Sequence, residues 1–390
     1  MADKVREILD ESGRAVEFRE GLEGVIAALS MISSIDGEKG ILLYRGIPIE
    51  ALAANSTFEE TTYFLLNGHL PKRQELADFE QQLKSHRQVP SAVLDLIRSF
   101  PSSANAMDLL RTTVSALGLY DPDSQTNTVE KNIERAINLI ASFPTIVAAI
   151  QRRRSGKEFI APRHDLSHAA NFLYMVNGEA PSEYAAKVLD VALILHADHG
   201  FNASTFTSRV VISSLSDMYS AISAAVGSLK GPLHGGANSE VMSALQEIGS
   251  LDKVEEYVMN RLATKQKVMG FGHRVYHTYD PRARILSQYS QKLAQQTGNA
   301  KWYEMSKKIE EIMMREVADK GIYPNVDFYS ATVYYYMGLD QDLFTPIFAV
   351  SRISGWTAHV IEQLQNNRLF RPRAIYPGPK NLPYVPINDR

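Results

Sequence analysis

Apolar residues recur at helical spacing along most of the chain. In EYAAKVLDVALILHAD (183–198), Tyr184, Val188, Leu189, Ala192 and Leu195 fall on one stripe. In SLDKVEEYVMNRLA (250–263) the stripe is Leu251, Val254, Tyr257, Val258 and Leu262, with Asp252 and Glu255 turned to water. KNIERAINLIASFP and ARILSQYSQKLAQQTG carry the same period, and Gly298 stops the second. Strand-like alternation is scarce. Its best instance is GILLYRGIPIEAL (40–52), a short hairpin-like stretch. The pattern predicts a mainly α protein without internal repeats. The basic run QRRRSGKEF (151–159) reads as a solvated loop between helices.

Composition narrows the function classes. A chain of 390 residues suits two or three domains, or one large domain with an insertion. With 45% hydrophobic and 22% charged residues, a core of this size needs neither disulfide nor metal. The formal charge of −3 is too near neutral to suggest a nucleic-acid surface. The absence of cysteine excludes disulfides, thiolate metal sites and cysteine nucleophiles. MADKVREILDESGRAVEFRE lacks the apolar core of a signal peptide and carries too many acids for a transit peptide. No uncharged apolar run approaches the roughly 18 residues of a membrane span. The expectation is a cytoplasmic protein with no membrane or nucleic-acid partner.

Candidate chemistry sits in three histidine neighbourhoods and one carboxylate: LILHADHGFNAST (His196, His199), GPLHGGANSE (His234), MGFGHRVYHTYDPRAR (His273, His277) and YPNVDFYSATVYYYMG (Asp327). The histidine pairs lack a carboxylate at a known metal spacing, so no metal is expected. His196 reads as structural, on the apolar end of its helix. His234 stands among glycines at or just before a helix start, where the partial positive charge disfavours imidazolium. A neutral imidazole held there can donate a hydrogen bond to a carbonyl oxygen. GFGHRVY repeats the design around His273, and Asp327 follows Pro324-Asn325 at another helix start. Two such histidines and a carboxylate suit enol chemistry, with the carboxylate taking a proton from carbon. Arg274, Arg282 and Arg284 suit a carboxylate or phosphate ligand.

Seven segments, in order, resemble the citrate synthase family after an N-terminal stretch, GLEGVIAALSMISSIDGEKGILLYRGIPIEALA, that does so too. They are FEETTYFLLNGHLPKRQEL, LSHAANFLYMVNGEAPSE, HADHGFNASTFTSRV, GPLHGGANSEVM, MGFGHRVYHTYDPRA, NVDFYSATVYYYMG and FAVSRISGWTAHVIEQ. The resemblance implies the mainly α citrate synthase fold: a large domain at 1–233 and 339–390, a smaller helical domain at 234–338, and an active site in the cleft between them. It implies condensation of acetyl-CoA with oxaloacetate and hydrolysis of citryl-CoA, with no redox cofactor and no metal.

The resemblance also distributes roles. Asp327 matches the base that takes a methyl proton from acetyl-CoA. His234 matches the residue that hydrogen-bonds the thioester oxygen. His273 matches the residue that polarises the oxaloacetate ketone and protonates the alkoxide. His199, Arg282, Arg352 and Arg371 match oxaloacetate ligands, Arg371 coming from the partner subunit of a homodimer. Lys267 and Arg274 are placed to meet CoA phosphates, and His277 stands where relatives often carry a basic residue. Higher assembly than a dimer is left open. Two other readings fit the motifs, a 2-methylcitrate synthase acting on propionyl-CoA and a non-catalytic CoA-binding homologue. The intact trio of His234, His273 and Asp327 argues against the second.

Overall fold

A computed structural model describes residues 5–9 and 13–390. The chain divides into two compact units, residues 31–368 and residues 1–30 with 369–390. In the second unit, β1 (Val5–Leu9) pairs antiparallel with β2 (Ala15–Arg19), and most of the C-terminal segment is irregular.

The larger unit opens with a small antiparallel sheet of β3 (Ser33–Asp36), β4 (Ile41–Tyr44) and β5 (Ile47–Pro48). The hairpin read from residues 40–52 is β4–β5, and β3 is a strand that the alternation had not revealed. Helices follow: α1 (Ile49–Asn55), α2 (Phe58–Asn67), α3 (Arg73–Ser85), α4 (Ser91–Ser99), α5 (Ala106–Leu117), α6 (Val129–Arg154), α7 (His168–Asn177) and α8 (Glu183–His196). Then come α9 (Ala203–Ser213), α10 (Met218–Lys230), α11 (Ala237–Ile248) and α12 (Val254–Ala263). The last four are α13 (Pro281–Thr297), α14 (Lys301–Val317), α15 (Val326–Tyr336) and α16 (Phe344–Gln365).

Local chemistry sets the ends of these helices. Ser182 caps α8 by accepting the Ala185 N–H, and Asp280 caps α13 by accepting the Arg282 N–H ahead of Pro281. Gly298 ends α13 at φ +65°, as the sequence predicts. α12 begins at Val254 after a 3₁₀ turn, so Leu251 is exposed while Val254 and Val258 are buried.

Two expectations change. α8 is not striped: from Val188 to His196 it is buried all round, because α1, α2, α7, α13 and α16 surround it. The basic run at 151–159 is only partly a loop. Arg152, Arg153 and Arg154 form the last turn of α6, where cations complement the helix dipole. α6 runs through Pro144, and among the described residues it alone is long and apolar enough to cross a membrane. Its apolar window is 83% buried against neighbouring helices, as in a core helix.

α16 is the spine of the core. It packs on α2, α6, α8, α9 and α10, and most of its residues are buried. α11 and α13 both pack on α15, and α12 packs on α14. The histidine turns lie where these elements meet: His199 just after α8, His234 between α10 and α11, and His273 between α12 and α13.

Candidate active site

His273 is held by the backbone that follows it. Its Nδ1 accepts the N–H groups of Val275 (2.9 Å) and Tyr276 (3.1 Å). A nitrogen that accepts carries no hydrogen, so the ring proton is on Nε2. Burial, and then the Arg282 charge, bring the pKa of His273 down to about 4. At neutral pH the ring is therefore a neutral Nε2–H donor. His199 packs edge-on against it, with centroids 5.1 Å apart. The Nε2 of His199 lies 3.3 Å from the Tyr276 hydroxyl. Burial first, then Arg282, His273 and Arg352, hold His199 well below its ordinary pKa.

His234 stands three residues before α11, as the sequence suggests. The donor that reaches its ring, however, belongs to the first turn of α9. The Ser204 N–H donates to His234 Nε2 (3.2 Å), and the Ser204 hydroxyl lies 2.7 Å from the same atom. The proton must then sit on Nδ1, the mirror of the His273 arrangement. Ser204 Oγ also accepts from Trp356 Nε1 (3.0 Å), and its single hydrogen is shared between His234 Nε2 and Asn202 Oδ1 (2.8 Å). Burial first, then the Arg352 charge, lower the pKa of His234 to about 4. Gly235 has its own reason: a Cβ there would sit 2.0 Å from the Leu229 carbonyl oxygen. This glycine lets the turn close on the end of α10 rather than clearing space at the ring.

Asp327 lies in the first turn of α15, where Asn325 Oδ1 caps the helix by accepting the Asp327 N–H (3.0 Å). A helix N-terminus alone would stabilise the carboxylate. Burial wins and raises its pKa to about 6, against the pull of Arg282 and Arg352. The residue as a whole is only partly buried.

The MGFG loop is laced to the segment before α15. The Asn325 N–H donates to the Gly270 carbonyl (2.9 Å), the Gly272 N–H to the Tyr323 carbonyl (2.9 Å), and Asn325 Nδ2 to the Gly272 carbonyl (3.0 Å). Gly270 has φ +79°, and a Cβ there would meet Phe328 and Val241 at 2.8 Å. The loop of His273 and the helix of Asp327 are therefore fixed to one another.

Two buried arginines supply positive charge. Arg282 pairs with Asp280 through Nε (3.0 Å) and Nη2 (2.8 Å), and Asp280 Oδ2 also accepts the Val326 N–H (3.2 Å). Arg352 donates from Nε to the His196 carbonyl (2.7 Å) and lies over the Phe348 ring. Among the described residues no carboxylate pairs with Arg352. Burial lowers its pKa to about 10, so it stays charged at neutral pH. A buried cation without an anion is a site for one.

Lys267 and Arg274 are exposed on the 264–280 loop, Arg284 lies over the Tyr279 ring, and His277 Nε2 lies 3.8 Å from Glu38. Arg371 belongs to the smaller unit, exposed, with Nη1 donating to the Pro372 carbonyl (3.0 Å). His196 is buried, donates from Nδ1 to the Ala192 carbonyl (2.7 Å), and has its pKa lowered to about 3 by burial, as a structural residue would. Sequence reasoning missed Ser204, Tyr276 and Asp280. Of these, Asp280 left a trace, since Asp-Pro is a helix-start signal. An open cavity of about 590 Å³ lies elsewhere, lined by Arg111, Thr112 and Leu119, and contains no histidine or carboxylate.

Comparison with known proteins identifies the family. Residues 21–373 match the family described as citrate synthase, C-terminal domain. The citrate synthase of Deinococcus radiodurans is 50% identical over 371 residues, 95% of this chain and 98% of that protein. The chain belongs to the citrate synthase family. A 2-methylcitrate synthase of Corynebacterium glutamicum is more distant, 42% identical over 96% of this chain and 99% of its own. The crystal structure of citrate synthase from Pyrobaculum aerophilum superposes with TM-score 0.92 at 43% identity, covering 99% of this chain and 98% of that one. A ternary complex of carboxymethyl coenzyme A and oxaloacetate with the Thermoplasma acidophilum citrate synthase gives 0.90 at 36% identity, over 95% and 99%. The fold is the citrate synthase fold, and the family's chemistry is acyl transfer.

Proposed function

We propose that the cluster condenses acetyl-CoA with oxaloacetate, with His234, His273 and Asp327 as the catalytic groups. The observation that carries the assignment is the opposite tautomers of the two histidines. Each ring is anchored through one nitrogen by backbone N–H groups, which leaves one N–H on the other nitrogen.

Asp327 takes a methyl proton from acetyl-CoA. A carboxyl poised near 6 is a better carbon base than one at its ordinary value, while still ionised at neutral pH. The Nδ1–H of His234 donates to the thioester oxygen as the enol forms. The enol carbon attacks the oxaloacetate ketone, whose oxygen accepts from His273 Nε2–H. The carbon–carbon bond closes, that proton passes to the new alkoxide, and citryl-CoA results. Water then adds to the thioester carbon, the carbon–sulfur bond breaks, and citrate and CoA leave. The chemistry calls for no redox cofactor and no metal.

His199, Arg282 and Arg352 bind the dicarboxylate, the arginines as planar donors to its carboxylates. The Thermoplasma complex held oxaloacetate with a CoA derivative, which supports these two substrates here. Lys267 and Arg274 lie on the exposed loop beside His273 and serve the CoA phosphates. Residues 234–338, whose helices pack largely on one another, form a smaller body that closes over oxaloacetate. The enzyme is a homodimer at minimum, and Arg371 reaches the partner's site.

The test is thiol release with oxaloacetate and either acetyl-CoA or propionyl-CoA. Faster turnover of acetyl-CoA is the expected outcome. Preference for propionyl-CoA would make this a 2-methylcitrate synthase, and turnover of neither would overturn the assignment.

A further inference from the structure

The turn that carries His199 rests on one face of α16. Arg352, Gly355, His359 and Glu362 are spaced three, four and three apart, so they share that face. Arg352 holds the His196 carbonyl, and the Gly355 N–H donates to the Ala197 carbonyl (3.1 Å). A Cβ at Gly355 would lie 2.4 Å from both the Ala197 oxygen and Asp198 Oδ1, so no other residue fits there without moving the turn.

His359 is fully buried beneath Asp198. Its Nδ1 accepts from Arg209 Nη1 (3.2 Å), which also donates to Glu362 Oε2 (2.6 Å). The hydrogen of His359 is therefore on Nε2, which lies 3.2 Å from Asp198 Oδ1. The contact is off the line of a hydrogen bond, and neither atom has a hydrogen-bond partner. Each thus depends on the other for its electrostatic balance. Asp198 Oδ2 in turn accepts the Gly200 N–H (3.0 Å) and the Ser33 hydroxyl. Asp198 ties down the backbone on the far side of His199, and His359 faces the carboxylate oxygen left over.

We propose that His359 is a positioning residue for oxaloacetate: it holds Asp198, and through Asp198 the main chain that presents His199 to His273. The proposal rests on the reading of His199 as an oxaloacetate ligand. It adds a residue that touches no substrate and sits about two helical turns from Arg352.

Two variants of the full-length protein separate positioning from packing. His359→Phe fills the volume without a polar atom, and His359→Gln restores an N–H donor near Nε2. Oxaloacetate affinity is read by calorimetry, the KM for acetyl-CoA by thiol release, folding by Tm, and the ring of His199 by NMR of histidine-labelled protein. His359→Phe is expected to weaken oxaloacetate about tenfold, the scale of leaving the buried Asp198 Oδ1 with no polar group facing it, and to move the His199 resonances. Its KM for acetyl-CoA stays within about twofold, and His359→Gln recovers most of the affinity. Wild-type oxaloacetate affinity and His199 signals in His359→Phe would overturn the proposal. So would equal losses for both substrates, with a lowered Tm, in both variants. If the wild-type protein binds no oxaloacetate, the reading of the site fails instead, and the His199 resonances alone decide the pairing.

Discussion

The Ser204 N–H points at Nε2 of His234 from 3.2 Å and thereby fixes the hydrogen of that ring on Nδ1. The donor is main-chain, so the side chain of Ser204 is not what sets the tautomer. Ser204→Ala is expected to keep His234 neutral and Nδ1-protonated between pH 5.5 and 8, read by nitrogen-15 shifts, and to cost about tenfold or less in kcat. His234→Ala removes the donor itself and should cost about a hundredfold or more, the range of a lost oxyanion donor. A Ser204→Ala enzyme as slow as His234→Ala would mean the hydroxyl, not the backbone, orients the ring.

Asp327 governs the acid side of the pH profile. It acts as a base, so only the carboxylate is active. With its pKa raised to about 6, kcat/KM should fall as pH drops through 6, toward tenfold per unit below it. His234 and His273, both lowered to about 4, stay neutral through that range and add no limb there. Asp327→Asn should bind oxaloacetate normally, lose about 10²–10⁴-fold in turnover and lose the limb. Turnover within about threefold of wild type would remove Asp327 from the mechanism.

Much of this candidate site was legible in the sequence. His199, His234, His273, Asp327 and Arg282 lie in short motifs rich in glycine, proline and polar residues, because loop–helix junctions break helical periodicity, whereas Arg352 lies inside α16 and was singled out only by the family resemblance. The anchors were not legible. Ser204 and Tyr276 act through a main-chain N–H, or through a hydroxyl brought near only by folding, and neither depends on local residue pattern. His359 sits at helical spacing from Arg352, yet a polar face on a buried helix reads like an exposed one until its neighbours are known. α8 misled for a related reason: periodicity reports a stripe even where other helices cover the remaining sides.

Asp190, buried in α8, should make stability fall with rising pH. Its Oδ1 accepts the Phe58 N–H (3.0 Å), but burial and then the nearby Glu59 charge raise its pKa to about 7, with Lys187 pulling the other way. In the unfolded chain an aspartate ionises near 3.9. From about pH 4 to 7 the unfolded state has lost a proton that the folded state retains, so stability declines through that window and levels off above it. Asp190→Asn keeps an acceptor for Phe58 without the charge. Its Tm should exceed that of wild type by a margin that grows from pH 5 to pH 8. A constant or shrinking margin would show that Asp190 is ionised in the folded protein without penalty.

Arg371 tests whether the site is shared between subunits. It lies in NNRLFRPRAIYPGP, a segment with prolines at 372, 377 and 379 and without helix or strand. Such a segment is suited to crossing a two-fold interface. Asp327→Asn and Arg371→Ala homodimers are each expected to be nearly inactive. Mixed dimers are then made by co-expression. If Arg371 serves the partner's site, one site of a mixed dimer carries both defects and the other carries neither. Random pairing makes about half of the dimers mixed, so about a quarter of all sites are intact. Activity near a quarter of wild type supports an arginine supplied in trans. An inactive mixture, with mixed dimers shown by native mass spectrometry, would place Arg371 in its own chain's site or in none.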